Sequence, residues 1–348
     1  MSLPRIAIAA RGSAQDGLGH FMRARALAEA FEAMGHSPRV FLLGGESGPA
    51  LFRHTQLDHR LCADDAELAR AMVESGATIG VFDMLRLKPK ALSDIKGTGM
   101  ITVSLSPVFD RLGEMDLLFH RTQYEDPAWN GQSPFPEVVK GLDYTIVSER
   151  CQRIPRRHFK AHLAQSPLSI AISMGGADAP NRTLDILNVL KDASCSLLIW
   201  VALGEAYTHS YEALVKAVSG TKHEVILVKS NESMWRVLQG SCLVICSAGM
   251  TTYEAAFVGL PSINLPLHSD RNYLIRELEE RGACRVFTGD ETGYENMRRL
   301  IEHWESHRHE LLAMHETATR LVRPRGARRV ARAILNRAST FTRPQVGE

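Results

Sequence analysis

The sequence predicts an α/β protein of two domains, each a parallel sheet covered by helices on both faces. Two observations carry that prediction. Short apolar runs of strand length alternate with helix-length segments along most of the chain, and strands separated by helices pair in parallel with both faces buried. The alternation also breaks once, before residue 167, and then restarts, so the same architecture is used twice. A chain of 348 residues has room for two domains of ordinary size.

The first run, 5–10 (RIAIAA), reads as a buried strand, followed by a glycine-containing loop at 12–19. His20 opens a helix in which Phe21, Ala24, Leu27, Ala28 and Phe31 recur with the helical period, and Gly35 ends it. Strands are expected at 39–43, at 57–62 on an edge, at 78–82 ending in Asp83, at 100–105 and at 115–119, the last of this half. A helix fills 66–75. Pro127, Trp129, Gly131, Pro134 and Pro136 mark a loop, and a further strand is expected at 144–147. A basic stretch follows, with the linker around 150–166. The second half then offers strands at 168–173, 197–202, 225–228, 242–246, 263–265 and 284–287. Helices are expected at 181–190, 211–218, 234–238, 250–258 and 272–281, one long helix at 294–321, a break at Pro324 and Gly326, and a last helix at 327–338. The expected organisation is a first domain at 1–150, a second at 167–310 and C-terminal helices at 311–340 that pack back on the first.

Composition excludes several function classes. The 41 Lys and Arg against 39 Asp and Glu leave a net charge of +2, which does not argue for a nucleic-acid partner. Six scattered cysteines, Cys62, Cys151, Cys195, Cys242, Cys246 and Cys284, form no CxxC pair, and three lie in apolar runs. That is the pattern of reduced thiols in a cytoplasmic protein. Zinc-site spacing is absent and no DxD-type pair stands out, so neither metal nor cofactor is expected. The first residues reach Arg11 too soon for a signal peptide, and no run approaches membrane-spanning length. Between Arg320 and Arg343 there is no acidic residue, while Val330, Ile334 and Leu335 make an apolar face. A basic amphipathic helix of this kind can make a peripheral contact with an anionic membrane.

Ligands of parallel sheets bind beyond the carboxyl ends of the strands. Candidate groups collect there: the 12–20 loop, Asp83, the loop at 173–178 (SMGGAD) and the turn at 247–254 (SAGMTTYE). In the last, Ser247, Ala248 and Gly249 connect an apolar run to a helix beginning near Met250 and Thr251. Small residues at such a turn let backbone N–H groups approach an anion, and the helix N-terminus adds partial positive charge. Glu254, one turn inside, suits the paired hydroxyls of a ribose. The plainer readings are an ordinary crossover with a solvated Glu254, an Asp83 or Asp178 that caps the next turn or helix, and solvated loops at His268 and Asp270. Asn272 alternatively begins the next helix.

GLGHFMRARALAEAF, ISMGGAD and the 246–272 stretch together resemble the GT-B fold, two facing Rossmann-like domains with an interdomain cleft that bind nucleotide-sugars. Within it, GLGHFMR and SMGGAD resemble the UDP-sugar hydrolases of pseudaminic acid biosynthesis, grouped with spore-coat polysaccharide proteins. The same C-terminal motif resembles the N-acetylglucosaminyltransferases that complete the lipid-linked peptidoglycan precursor. The resemblance implies a UDP-sugar substrate and places the catalytic histidine on His20; Asp83, the second catalytic candidate, is expected to hold the His20 ring or contact the sugar. The resemblance places the nucleotide on Gly175, Gly176, Ser247, Ala248, Gly249, Met250, Thr251 and Glu254. The candidates for the sugar are Gly17, Gly19, Arg23, His268, Asp270 and Asn272, of which His268 and Asp270 could touch the nucleotide as well. In such proteins the last helix crosses back onto the first domain, which is the favoured use of the basic tail. The chain departs from the hydrolases at SLSPVFD, where Ser104, Ser106 and Pro107 replace an aspartate pair. The expected reaction is metal-independent hydrolysis of a UDP-activated amino sugar in polysaccharide biosynthesis, with water deprotonated by the neutral imidazole of His20. The alternative is a GT-B glycosyltransferase that uses the same groups on an acceptor, and a third reading is a non-catalytic nucleotide-sugar-binding protein.

Overall fold

A computed structural model describes residues 3–13, 18–45, 47–53, 55–129, 137–148, 151–204, 207–229 and 234–340. The chain divides into two compact units, residues 1–123, 128–146 and 325–348 in one, and 124–127 with 147–324 in the other.

The first unit begins β1 (Ile6–Arg11), α1 (Gly19–Glu32), β2 (Arg39–Leu43), α2 (Ser47–Phe52), β3 (Asp58–Cys62), α3 (Asp65–Glu74) and β4 (Ile79–Asp83). It continues α4 (Pro89–Gly97), β5 (Ile101–Ser104), β6 (Leu117–His120) and β7 (Val138–Lys140). The strands form one sheet in the order β3-β2-β1-β4-β5-β6-β7, every pair parallel. Composition explains the positions. IAIAA of β1 and IGVFD of β4 are fully buried and central, whereas Asp58, His59 and Arg60 of β3 tolerate solvent and take the edge. The apolar residues expected on α1 are all buried, and so are Ala26 and Ala30.

In the second unit come α5 (Arg156–Leu163), β8 (Leu168–Ser173), α6 (Arg182–Leu190), β9 (Leu197–Leu203), α7 (Tyr211–Val218) and β10 (Glu224–Lys229). After these follow α8 (Met234–Leu238), β11 (Leu243–Cys246), α9 (Met250–Val258), β12 (Ser262–Asn264), α10 (Tyr273–Glu280), β13 (Cys284–Val286), α11 (Glu291–Ser306) and α12 (Arg308–Leu321). Its sheet has the order β10-β9-β8-β11-β12-β13, again all parallel. Both orders contain the 3-2-1-4-5-6 sequence of a Rossmann sheet. The helix expected at 294–321 is two helices, because the chain leaves the helical region at His307 (φ −119°, ψ 49°). Glu310 bridges the break, accepting from Trp304 Nε1 at 3.1 Å and pairing with His303 Nε2 at 2.9 Å.

The last helix, α13 (Gly326–Thr340), belongs to the first unit, where Val330, Ala331 and Ile334 join the core that includes Phe21, Leu27 and Phe31 of α1. Its start needs glycine: a Cβ on Gly326 would lie 1.8 Å from the Thr145 carbonyl oxygen. This contact corrects one expectation. Residues 144–147 are not a strand. Leu142–Tyr144 is a single 3-10 turn, and Tyr144 and Ile146 are apolar because they pack into the core shared with α13. The additional strand is β7, three residues long, too short to stand out in sequence. All six cysteines are free thiols. Among the described residues no helix is long and apolar enough to cross a membrane.

Candidate functional site

Where strand order reverses in a parallel sheet, the two strands flanking the reversal send their connections to opposite faces and leave a crevice at their carboxyl ends. The first sheet reverses between β1 and β4, the second between β8 and β11. The register sets Asp83 beside Ala10 in one sheet and Cys246 beside Ser173 in the other.

In the first unit, His20 and Arg23 lie three residues apart on α1, on one face of the helix, and both reach Asp83. His20 Nδ1 is 2.6 Å from Asp83 Oδ1, and Arg23 donates from Nε to Oδ2 at 2.8 Å and from Nη2 to Oδ1 at 2.6 Å. Arg23 Nη2 also lies 2.9 Å from His20 Nδ1. An ionised carboxylate only accepts, so the 2.6 Å contact with Asp83 Oδ1 calls for the imidazole proton on Nδ1, with Arg23 Nη2 donating to the same oxygen. The lone pair is then on Nε2, the state a general base requires. Asp83 is fully buried, which by itself would raise its pKa, but the Arg23 charge and the His20 ring outweigh burial and hold the carboxyl well below the usual carboxylate range. Arg23, expected on the sugar, has its guanidinium bonded to Asp83. Gly19 is the first residue of α1. Gly17 lies outside the described residues.

At the end of β6, His120 is a buried histidine with no signal in the sequence. Its ring is fully buried, accepts from the Thr122 backbone N–H at Nδ1 (3.3 Å) and meets Trp129 edge-on at 5.6 Å. Burial, with the Arg121 and Lys140 charges, pushes it down to about 3. At the end of β5, Ser104 and Ser106 are buried and bond to each other, Ser104 Oγ donating to the Ser106 carbonyl at 3.0 Å.

At the second reversal, Gly175 has φ +93° and Gly176 sits so close to Gly204 that a Cβ there would lie 2.3 Å from the Gly176 carbonyl oxygen. Asp178 (φ +46°) takes the capping role: it accepts from the N–H groups of Arg182 and Thr183, both at 2.9 Å. Opposite this loop, Ser247 and Ala248 lead to Gly249, the N-cap of α9, which has no side-chain cap. The α9 N-terminus is pinned from below. Asn264 Oδ1 accepts from Thr252 Oγ1 at 2.5 Å and from Cys246 Sγ at 3.1 Å, and burial pushes the Cys246 thiol up to about 12, keeping it a donor. Met250 and Thr251 begin α9 and Glu254, half-buried, lies one turn further. Cys151 stands beside Glu254: its thiol pKa is raised by burial first and then by that carboxylate. His268 and Asp270 are exposed around a short 3-10 turn. Asn272 directly precedes α10, and its Oδ1 is buried with no partner among the described residues. Among the described residues no group of three or more His, Cys, Asp or Glu side chains is placed to hold a metal ion.

Residues 173–330 match the family model described as Glycosyltransferase family 28 C-terminal domain. Over 185 residues the chain is 26% identical to the UDP-N-acetylglucosamine--N-acetylmuramyl-(pentapeptide) pyrophosphoryl-undecaprenol N-acetylglucosamine transferase of Coxiella burnetii, covering 51% of each protein. The chain spans about half the length, or less, of the curated relatives it matches. Among solved structures it is similar to Acinetobacter baumannii MurG, with a TM-score of 0.70, 15% identity and coverage of 96% of this chain and 100% of that one. A Listeria monocytogenes protein assigned as a UDP-N-acetylglucosamine 2-epimerase gives a TM-score of 0.68 at 11% identity, with 99% of both chains covered. The fold is thus of the GT-B type, with two Rossmann-like domains.

These findings correct the expected enzyme class. The family model and the C. burnetii relative are glycosyltransferases, which overturns the nucleotide-sugar hydrolase reading. The departure at Ser104 and Ser106, where the hydrolases carry aspartates, agrees with the correction.

Two measurements check the first unit. The ¹⁵N shifts of His20 will report a protonated Nδ1 and a bare Nε2, and Asp83→Leu will shift the population toward the other tautomer. For His120, the folded pKa near 3 lies below its ordinary 6.5. The unfolded chain therefore binds a proton in that window that the native chain does not, and stability falls as pH falls, by up to about 1.4 kcal/mol per pH unit. Urea denaturation will show a shallower loss between about pH 6 and about pH 5 in His120→Gln than in wild type.

Proposed function

We propose that the protein is a glycosyltransferase that takes a UDP-activated amino sugar as donor. The observation that carries this reading is that the match to the family 28 domain falls on the second sheet's reversal, over both the SMGGAD loop and the uncapped start of α9. In this reading Gly175, Gly176 and the 247–251 turn hold the diphosphate through backbone N–H groups and the α9 dipole, and Glu254 accepts from the ribose hydroxyls. His268, Asp270 and Asn272 serve the sugar.

The reaction is a displacement at the anomeric carbon. An acceptor hydroxyl attacks, its proton passes to His20 Nε2, and the bond from the anomeric carbon to the phosphate oxygen breaks, its electron pair leaving with UDP. Asp83 stabilises the imidazolium that forms, and Arg23 keeps Asp83 ionised and oriented. One displacement inverts the anomeric centre. The donor phosphate accumulates negative charge as it leaves, where fixed N–H donors act most strongly. The exposed positions Arg323, Arg325, Arg328 and Arg332 near and on α13 support an additional contact with an anionic membrane surface.

UDP release from UDP-N-acetylglucosamine and related amino sugars, in the presence of hydroxyl acceptors from cell extracts, checks the reaction. Release will require acceptor, and His20→Ala will lose on the order of a hundredfold or more in rate while still binding UDP. Full activity in that variant, or equal release without acceptor, contradicts the assignment. Sedimentation with vesicles of phosphatidylglycerol will show binding that added salt removes; vesicles that leave the protein in the supernatant at low salt rule out the membrane contact.

A further inference from the structure

Two loops of the proposed donor site leave the second sheet from different strands, and one side chain joins them. Arg182 is the first residue of α6. Its backbone N–H is bonded to Asp178 Oδ1 at 2.9 Å, so it closes the loop that carries Gly175 and Gly176. Its guanidinium turns to the loop after β12, where Nη1 donates to the Leu265 carbonyl and, at 2.9 Å, to the Pro266 carbonyl. Those carbonyls immediately precede 267–272, the segment with His268, Asp270 and Asn272. The third side of the guanidinium lies against Gly289, where a Cβ would come within 2.4 Å of Nη2. The room for the arginine therefore depends on that glycine.

We infer that Arg182 is a positioning residue that fixes the 265–272 loop relative to the SMGGAD loop, and so aligns the sugar end of the donor with its diphosphate end. The inference rests on the donor site proposed above. The chemistry favours arginine. One permanently charged planar group holds the carbonyls of two successive residues through Nη1 while Nη2 packs at Gly289, a packing that a lysine's ammonium does not reproduce. Neither carbonyl is part of the β12–β13 ladder, whose register ends at Asn264, so without the guanidinium the loop loses its anchor to α6. Arg182 touches no reacting atom in this arrangement. Its effect is on which conformations of 267–272 are populated when donor arrives, and it acts on the sugar end more than on UDP itself.

Hydrogen exchange of the full chain without ligand tests the anchor independently of function. Arg182→Ala and Gly289→Ala, which displaces the guanidinium without removing it, will each speed exchange at 265–272 by about tenfold while 174–181 changes little, and Arg182→Lys will fall between. Unchanged exchange at 265–272 in both alanine variants overturns the inference. So does equal acceleration in 174–181, which would mean that α6 itself has come loose. Where wild type binds UDP and turns over a UDP-sugar, Arg182→Ala will raise KM for the donor by about tenfold with kcat and the UDP dissociation constant within about threefold. A parallel loss of UDP affinity overturns the sugar-end role. A wild type that binds no UDP refutes the proposed function, and leaves the exchange result to decide the anchor.

Discussion

A parallel sheet built by right-handed crossovers can have its connections change face only where its strand order reverses. That constraint locates the His20–Asp83 pair and the two glycine-containing turns of the second sheet. β1 and β4 flank one reversal, β8 and β11 the other. At each, two strand ends lie at the same level with loops diverging from them, so backbone N–H groups and side chains can meet a ligand without a helix in the way. His20 enters from the connection after β1 and Asp83 from the end of β4. The glycines at 175 and 176 enter from β8, and the 247–249 turn from β11. Residues 63 positions apart in His20 and Asp83 become hydrogen-bonded neighbours for this reason alone.

A carboxylate at such a crevice is expensive to bury. Desolvating one costs several kcal/mol, and Asp83 has no exposed surface. Arg23 meets that cost with a two-pronged contact, and His20 adds a third hydrogen bond. The arrangement is mutually enforcing. Arg23 keeps Asp83 charged, the charge fixes the proton of His20 on Nδ1, and the proton there frees Nε2. The second unit works the opposite way. A neutral network of Cys246, Thr252, Asn264 and Ser262 holds its α9 turn rigid from beneath. Fixed amide dipoles are well suited to a diphosphate that arrives carrying its own charge.

The fold class was legible because apolar runs and helical periods survive in the sequence regardless of context. The strand ends were legible too: Asp83, Gly176 and Ser247 each follow closely on an apolar run, and that position alone makes them candidates. What failed were features set by neighbours. VVK at 138–140 is a strand because β6 pairs with it, and nothing in three residues announces that. Tyr144 and Ile146 look strand-like because α13, far away in the chain, covers them. The bonds of Arg23 to Asp83, one turn from His20, likewise depend on a strand far away in the chain. Arg182 and His120 carry no local pattern at all. Their meaning lies in carbonyls and rings that the sequence keeps far away.

The distinction between hydrolase and transferase was beyond the reach of the motif residues for a chemical reason. Both reactions need a base beside the anomeric carbon and a nucleoside diphosphate held as leaving group, and both use the same protein groups for each. They differ in whether the nucleophile is water or a larger hydroxyl compound, and therefore in the surroundings of the base rather than in the base itself. The informative positions are those where a sugar-specific acid pair is absent. In this chain Ser104 and Ser106 occupy the end of β5, bonded to one another and buried. Neutral hydroxyls there cannot act as a second acid or base at neutral pH, so the proposed reaction passes its proton to the His20–Asp83 pair alone. One base suffices for either nucleophile, because water and an acceptor hydroxyl each bring the proton that is removed and the diphosphate leaves without needing one, so the choice between them rests on what the surroundings of the base admit.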